Sequence, residues 1–390
     1  MIPKQLKEIR KEDLLALREN KIPEGKTIDY KSQLSISSDE EKKDFYKDIT
    51  SFANAEGGDI IYGIIEENRI PKDIVGVEVE NIDEMLLKLS DMIRNGIEPT
   101  IIPQPELHHF ILEDNRYVII IRVHRSFTAP HRISFQKNNK FFIRGDGGNN
   151  EMSITELGNA FIFSQSITER IQNFRLERLH KLVSGDTPVP LTTRLKGKMM
   201  LHLIPLQSFI ENTMFDVNSN ELSEILKSKL FEPIESYGEF SRYNLEGFTR
   251  YGGLDETRGT YSYVQFFRNG ITEAVFGACL HEGDGSFVHG YIKNKVFEYG
   301  FNYLELMKKL NIIPPIYALL TFYDIKGSTL NLGKVRGPNF MGSEDFKFEK
   351  ELISLPEVVI NDFVSNENEL ESIFKPVFDV LMNAFGLKAN

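Results

Sequence analysis

Apolar residues recur at helical spacing through residues 5–20, where Leu6, Ile9, Leu14 and Leu17 predict a helix that Pro23 and Gly25 break. Residues 27–34 alternate instead. Ile28 and Tyr30 face one way and Asp29 and Lys31 the other, which is the period of a strand. A capping box, either Ser37 with Glu40 or Ser38 with Glu41, then opens an amphipathic helix reaching about Ala55, with Phe45, Ile49, Phe52 and Ala53 on one face. Gly57–Gly58 ends it in a left-handed cap, and the β-branched run 60–65 predicts a strand. Ile82, Met85, Leu86, Leu89 and Ile93 predict a helix over 82–95. Two strands follow over 107–113 and 117–123, joined by the turn EDNR, then a short strand over 140–144 and a helix over 153–180.

Residues 181–196, rich in Gly, Pro, Ser and Thr without periodicity, predict a linker. Beyond them helices are expected over 219–230, 291–310 and 368–385. Asn269–Gly270, set between the apolar runs 261–268 and 272–281, predicts a hairpin. The pattern is that of an α+β protein with domains at 1–180 and 197–390, and 390 residues are too many for one ordinary core.

Composition narrows the class. Hydrophobic residues at 41% and charged residues at 26% are ordinary for a globular chain. A net charge of −11 argues against a sequence-blind DNA coat. It leaves room for a local basic groove, because screening confines each charge to roughly 8–10 Å. Cys279 is the single cysteine, so no internal disulfide forms and a cytoplasmic setting is expected. No run of 18 apolar residues and no signal-like leader occur, so no membrane association is expected.

Four features carry candidate chemistry. Glu24, Asp29 and Lys31 form an acid followed by D-x-K on one strand face, a pattern in which carboxylates hold a hard divalent ion and the lysine stabilises charge. The same residues also suit a solvated strand face with an i, i+2 ion pair. Glu66 and Glu67 end the next strand and could join Glu24 and Asp29 in a carboxylate cluster, or simply form a polar turn. Asn54 to Gly58, with Gly63, suits close approach of a backbone or a phosphate. Over 108–144, Arg116, Arg122, Arg125, Arg132, Lys137, Lys140 and Arg144 stand against only Glu113 and Asp114, with Phe127, Phe135, Phe141 and Phe142 interleaved. Cations supply affinity for a phosphate backbone and aromatics stack on unpaired bases, although core phenylalanines in a hairpin give the same pattern. No P-loop or G-x-S-x-G occurs, His281 and His289 lack a third ligand at metal spacing, and Cys279 reads as a core thiol.

In order, Glu24, Asp29-Tyr30-Lys31, Ser51-Phe52-Ala53-Asn54-Ala55-Glu56-Gly57-Gly58, Gly63-Ile64-Ile65-Glu66, Pro130-His131 and Phe142-Ile143-Arg144-Gly145 resemble the motifs of the Schlafen AlbA-type domain, also described as a divergent AAA domain. The resemblance covers residues 24 to about 150. It implies a mixed sheet with flanking helices, ahead of a second α+β domain of unknown role. It also implies a nucleic-acid-binding protein of bacterial origin, with RNA or single-stranded DNA in a groove lined by Arg122, Arg125, Arg132, Lys137, Lys140 and Arg144, and a role in antiphage defence or stress. In vertebrate Schlafen proteins a three-carboxylate site of this kind cleaves tRNA and rRNA. By that resemblance Glu24, Asp29 and Glu66 (or Glu67 in a shifted register) would hold Mg or Mn in an endoribonuclease, with Lys31 stabilising charge. Asp29 stands where the family has Glu, and Glu66 where it has Asp, so reach changes by one methylene each way. The vertebrate enzymes pair two such domains, so a homodimer would complete the groove here. A third expectation is a regulator that senses a nucleotide or nucleic acid and acts through a protein partner.

Overall fold

Alternation in the first strand and an apolar stripe on the following helix decide how the N-terminal layers meet. The computed structural model describes residues 1–113, 115–209, 214–236, 240–255, 259–281, 285–331 and 347–388. They form two compact units, Met1–Thr168 and Glu169–Asn390.

The first unit contains α1 (Lys11–Glu19), β1 (Ile28–Lys31), α2 (Asp39–Ala53), β2 (Gly57–Tyr62), β3 (Ile64–Glu67), β4 (Ile70–Ile74), β5 (Val77–Glu78), α3 (Ile82–Gly96) and β6 (Ile97–Glu98). It continues through β7 (Glu106–Glu113), β8 (Arg116–His124), β9 (Arg132–Ile133), β10 (Phe142–Gly145) and β11 (Gly148–Glu151) into α4 (Ile154–Ser184), within which the division between the units falls. The main sheet runs β1-β2-β8-β5, with β7 also on β8; β1 and β2 are parallel and β8 is antiparallel to its neighbours.

Period two sorts this sheet into two faces. Ile28, Tyr30, Ile61, Val118 and Ile120 pack on one side with Ile2, Leu6, Ile9 and Leu14 of the N-terminal segment. Ile60, Tyr62, Ile119, Ile121 and Val123 pack on the other with Phe45, Ile49 and Phe52 of α2 and Leu89 and Ile93 of α3. Asp29 and Lys31 therefore face α2.

Several expectations shift in detail. The N-terminal helix is interrupted: a 3-10 turn spans Leu6–Glu8 and α1 starts at Lys11. Of the two capping boxes, Ser38 with Glu41 forms, Glu41 N–H donating to Ser38 Oγ at 3.2 Å and Ser38 N–H to Glu41 Oε2 at 2.8 Å. The strand expected over 60–65 is two strands, broken at Gly63, which takes φ +98° and where a Cβ would lie 2.7 Å from the Gly76 Cα.

Gly58 is required for a different reason. A Cβ there would lie 2.6 Å from the Thr27 carbonyl oxygen and inside contact range of the buried Phe52 ring. Gly58→Ala should therefore force backbone or core movement and destabilise by about 1–3 kcal/mol. A melting curve unchanged from wild type would show that this packing yields without cost.

The second unit is built on an antiparallel sheet ordered β13-β14-β15-β16-β12-β18-β20, with β21 also on β18. Its strands are β12 (Lys198–Pro205), β13 (Phe240–Tyr243), β14 (Gly247–Leu254), β15 (Thr260–Phe267), β16 (Thr272–Phe276), β18 (Ile316–Tyr323), β20 (Leu352–Ser354) and β21 (Val358–Ile360). Two short strands, β17 (Ser286–Val288) and β19 (Thr329–Asn331), pair in parallel beside it. Besides the short α5 (Asn220–Leu226), α6 (His289–Lys309) and α7 (Glu367–Ala384) cover one face, where Phe231, Phe248, Phe266, Phe322 and Phe374 take up much of the core. The Asn269–Gly270 turn joins β15 to β16 as expected, with Gly270 at φ +89°. The segment 181–196 is packed on this unit: Leu182 and Val189 are buried with Met200, Tyr263 and Val275. Both units mix helices with sheets, so the fold class is α+β.

Candidate functional site

Because Asp29 and Lys31 share the α2 face of β1, they meet whatever α2 presents at that level. It presents Asp48, an acid on the apolar stripe of Phe45, Ile49 and Phe52. The Lys31 ammonium lies 3.0 Å from Asp29 Oδ2 and 3.4 Å from Asp48 Oδ2. Arg144, from β10, donates to Asp29 Oδ1 at 2.7 Å and to Asn149 Oδ1 at 3.0 Å. Asn149, across the hairpin on β11, donates to Asp48 Oδ1 at 2.6 Å, and Ser51 Oγ donates to Asn149 Oδ1 at 2.7 Å. Asp29, Lys31, Asp48, Asn149 and Arg144 thus close a ring of polar side chains. Three of its members, Asp29, Asp48 and Arg144, are buried.

The ring opens into a cavity of about 430 Å³, whose lining also includes Glu24, Asp44, Lys47, Arg69, Gly147 and Gly148. Glu24 Oε1 accepts the Tyr30 N–H at 2.8 Å, which fixes that carboxylate beside β1. Arg69 donates to the carbonyls of Glu24 and Asp146. Lys47 lies over the Phe142 ring, 5.4 Å from its centroid. Among the described residues neither Lys47 nor Arg69 makes an ion pair with an acid.

Burial pushes the Asp48 carboxyl up to about 6, against the opposing pull of Lys31. Burial also raises Glu24, helped by the charges of Asp29 and Glu66. For Lys31 burial works against the ammonium, but Asp48 and Asp29 outweigh it and raise its pKa. Asp29 Oδ2 is buried and, beyond its ion pair with Lys31, accepts no hydrogen bond.

Of the residues expected to act together, Glu24, Asp29 and Lys31 line one cavity and Glu66 does not. Glu66 is exposed, and its Oε2 accepts the Arg69 N–H at the β3–β4 turn. Glu67 is paired with Lys72 at 3.0 Å. Among the described residues no three Asp, Glu, His or Cys side chains gather so as to hold a metal ion. The donors do not fit a three-carboxylate metal site: Asp29 is already neutralised by Arg144 and Lys31, and a divalent ion on its free lone pair would sit against the Lys31 ammonium.

Of the cations expected to line a groove, two are interior and two more are paired with acids at the surface. Arg122 is interior, with one guanidinium edge, Nε and Nη2, on Asp59 at 2.7 and 2.9 Å and further bonds to the Ile2 and Lys4 carbonyls. Arg144 belongs to the ring just described. Arg132 pairs with Glu98 and Lys140 with Glu151, each at 2.7 Å. Arg125 stacks on Phe163, 4.9 Å from the ring centroid. The Lys137 side chain lies outside the described residues. The motif residue Asn54 has a packing role: it donates to the carbonyls of His131 and Phe142 and accepts the His131 N–H, tying Pro130-His131 and β10 to the end of α2.

Sequence reasoning missed Asp48, Lys47, Arg69 and Asn149. Asp48 left a signal, since a lone acid on a buried helix face needs a partner. Arg69 and Asn149 are brought in by hairpins whose placement only the folded chain supplies, and Lys47 stands on α2 beside Asp48, where only the cavity marks it.

Residues 24–153, a third of the chain, match the family model Schlafen, AlbA_2, the domain type that its motifs resemble. No curated protein matches the sequence. Among solved structures, DIP2311 of Corynebacterium diphtheriae is 18% identical, with 37% of this chain and 27% of that one covered and a TM-score of 0.25. This chain therefore spans about a quarter of that protein's length. The N-terminal domain of a protein from Nitrosomonas europaea, described as related to the ATP-dependent DNA helicase RecG, is 16% identical over 37% of this chain and 95% of that one, with a TM-score of 0.28. Among the described residues no helix is long and apolar enough to cross a membrane.

Proposed function

We propose that the first unit is a nucleic-acid-binding domain and that its polar cavity holds the phosphodiester backbone of RNA or single-stranded DNA. The observation that carries this reading is the convergence of Lys31, Lys47, Arg69 and Arg144 on one cavity of the AlbA-type domain. Lys47 and Arg69, which make no ion pair among the described residues, are the cations placed to take a phosphate. A phosphate gains from such groups by charge and by release of its counterions.

The reading is tested by fluorescence anisotropy of labelled single-stranded RNA and DNA titrated with the full chain at several salt concentrations. Lys47→Glu and Arg69→Glu should each weaken binding roughly ten-fold or more, and the neutral Lys47→Gln should reduce the salt slope by about 1. Arg132→Gln and Lys140→Gln should change little, because those cations already face Glu98 and Glu151. The reverse ranking would move the interface to the 132–140 segment and off the cavity. Cleavage of the bound strand is a second reading, favoured by the carboxylates Glu24, Asp29 and Asp48 in the same cavity.

A further inference from the structure

Where two carboxylates face each other, a divalent ion commonly bridges them. Here the bridging position between Asp29 and Asp48 belongs to the Lys31 ammonium, 3.0 and 3.4 Å from their oxygens. The cation of this site is thus part of the chain. Arg144 fixes Asp29 from the other side, and Asn149 fixes Asp48. Glu24 reaches the same cavity from the segment before β1, held by the Tyr30 amide. Asp29 Oδ2, itself buried, still has an acceptor lone pair without a hydrogen bond, which a ligand hydroxyl would satisfy.

We propose that this cavity cleaves RNA without a divalent ion, with Asp48 as the base that activates the 2′-hydroxyl, Lys31 as the cation that stabilises the phosphoryl charge and Glu24 as the acid for the leaving group. The proposal rests on the reading of the cavity as a phosphodiester site. In the step, the 2′ O–H bond breaks and its proton passes to Asp48 while O2′ bonds to phosphorus. The bond from phosphorus to O5′ breaks, and Glu24 gives its proton to that oxygen. The products are a 2′,3′-cyclic phosphate and a 5′-hydroxyl, and no co-reactant is consumed. DNA, lacking the 2′-hydroxyl, binds and stays intact.

The groups facing the Asp48 carboxylate are Lys31 and Asp29 from β1, Asn149 from β11 and Tyr62 from β2; Arg144 stands one bond further off, on Asn149 and Asp29. A base whose pKa is raised to about 6 is ionised at neutral pH yet basic enough to accept a proton, which matches its assigned role. Burial, with the charges of Asp29 and Glu66, also raises the Glu24 carboxyl.

The test uses the full chain with a 5′-labelled single-stranded RNA and the matching DNA, in EDTA and in Mn²⁺, beside Asp48→Asn and Asp48→Glu proteins prepared in parallel. The expected result is RNA cutting that survives EDTA, leaves 2′,3′-cyclic ends and spares DNA. Asp48→Asn should still bind RNA but cut about 100-fold or more slowly, with the acidic limb of the pH profile near 6 gone. Asp48→Glu, which keeps a carboxylate, should retain part of the activity and shows whether any loss in the asparagine variant reflects chemistry or misfolding. Cutting only with Mn²⁺, cutting that leaves a 3′-hydroxyl, or undiminished cutting by Asp48→Asn overturns the proposal. Binding without cutting overturns it as well and leaves the binding reading standing. Absence of binding defeats both.

Discussion

Replacing Arg122 by alanine is expected to unfold or severely weaken the first unit, and to do so before any effect on nucleic acid can be measured. Arg122 is 6% exposed and Asp59 is fully buried. Two guanidinium nitrogens bond the carboxylate, and the remaining hydrogen bonds go to the carbonyls of Ile2 and Lys4, while the Ile2 N–H donates to Asp59 Oδ2 at 2.6 Å. Removing the arginine strands a buried carboxylate and two carbonyls together. Breaking such a pair from one side costs about 3–5 kcal/mol, a large share of a domain's stability. Replacing both partners at once, Arg122→Met with Asp59→Leu, should cost less than Arg122→Ala alone, because no buried charge is left unpaired. Thermal unfolding of the three proteins checks the order. If Arg122→Ala keeps its melting temperature and only loses affinity for RNA, the interior assignment fails and the residue belongs to a groove.

The Arg122 case shows what could be read from the chain. Val118, Ile120 and Arg122 share one face of a strand whose other face is Ile119, Ile121 and Val123. An arginine within a strand that is apolar on both faces must be paired, and Asp59, in the equally apolar run 57–62, is the acid such a pairing needs. By charge alone Arg122 reads as a groove residue; by periodicity it reads as a core residue. The same rule applies to Asp48, which sits at i+3 from Phe45 and i−4 from Phe52 on the buried stripe of α2. Period two did place Asp29 and Lys31 on one face correctly, and the capping box, the Asn-Gly turn and most long helices were legible because each is decided within a few residues. Which acid stands beside Arg132 or Lys140 depends on hairpin register, and which residues Lys47 and Arg69 meet depends on packing between elements far apart in sequence. Neither leaves a local trace.

Acid should find its weak point in the second unit at Glu273. This carboxylate is fully buried in β16. Arg178 grips it with two bonds of 2.8 Å, Tyr263 Oη donates at 2.9 Å, and His202 Nε2 stands at 2.9 Å. Burial alone would raise the glutamate, but the guanidinium and the His202 bond outweigh it and hold the pKa down at about 2. Burial lowers the pKa of His202, so its ring is neutral and donates through Nε2–H. A carboxylate whose folded pKa is depressed below its unfolded value, about 4.3, binds fewer protons when folded. Its stabilisation is therefore fully present above that value and is lost as pH falls from about 4.3 toward 2, a loss on the order of 3 kcal/mol from this one group. Urea unfolding of the full chain followed by circular dichroism from pH 7 to pH 2 should show the second unit weakening through that window. Glu273→Gln should be less stable than wild type at pH 7, where Arg178 loses its main counter-charge, and should lose less on acidification. The two proteins would then converge near pH 2. Parallel acid limbs in both would mean that other carboxylates govern the acid response and that the Arg178–Glu273 contact contributes packing alone.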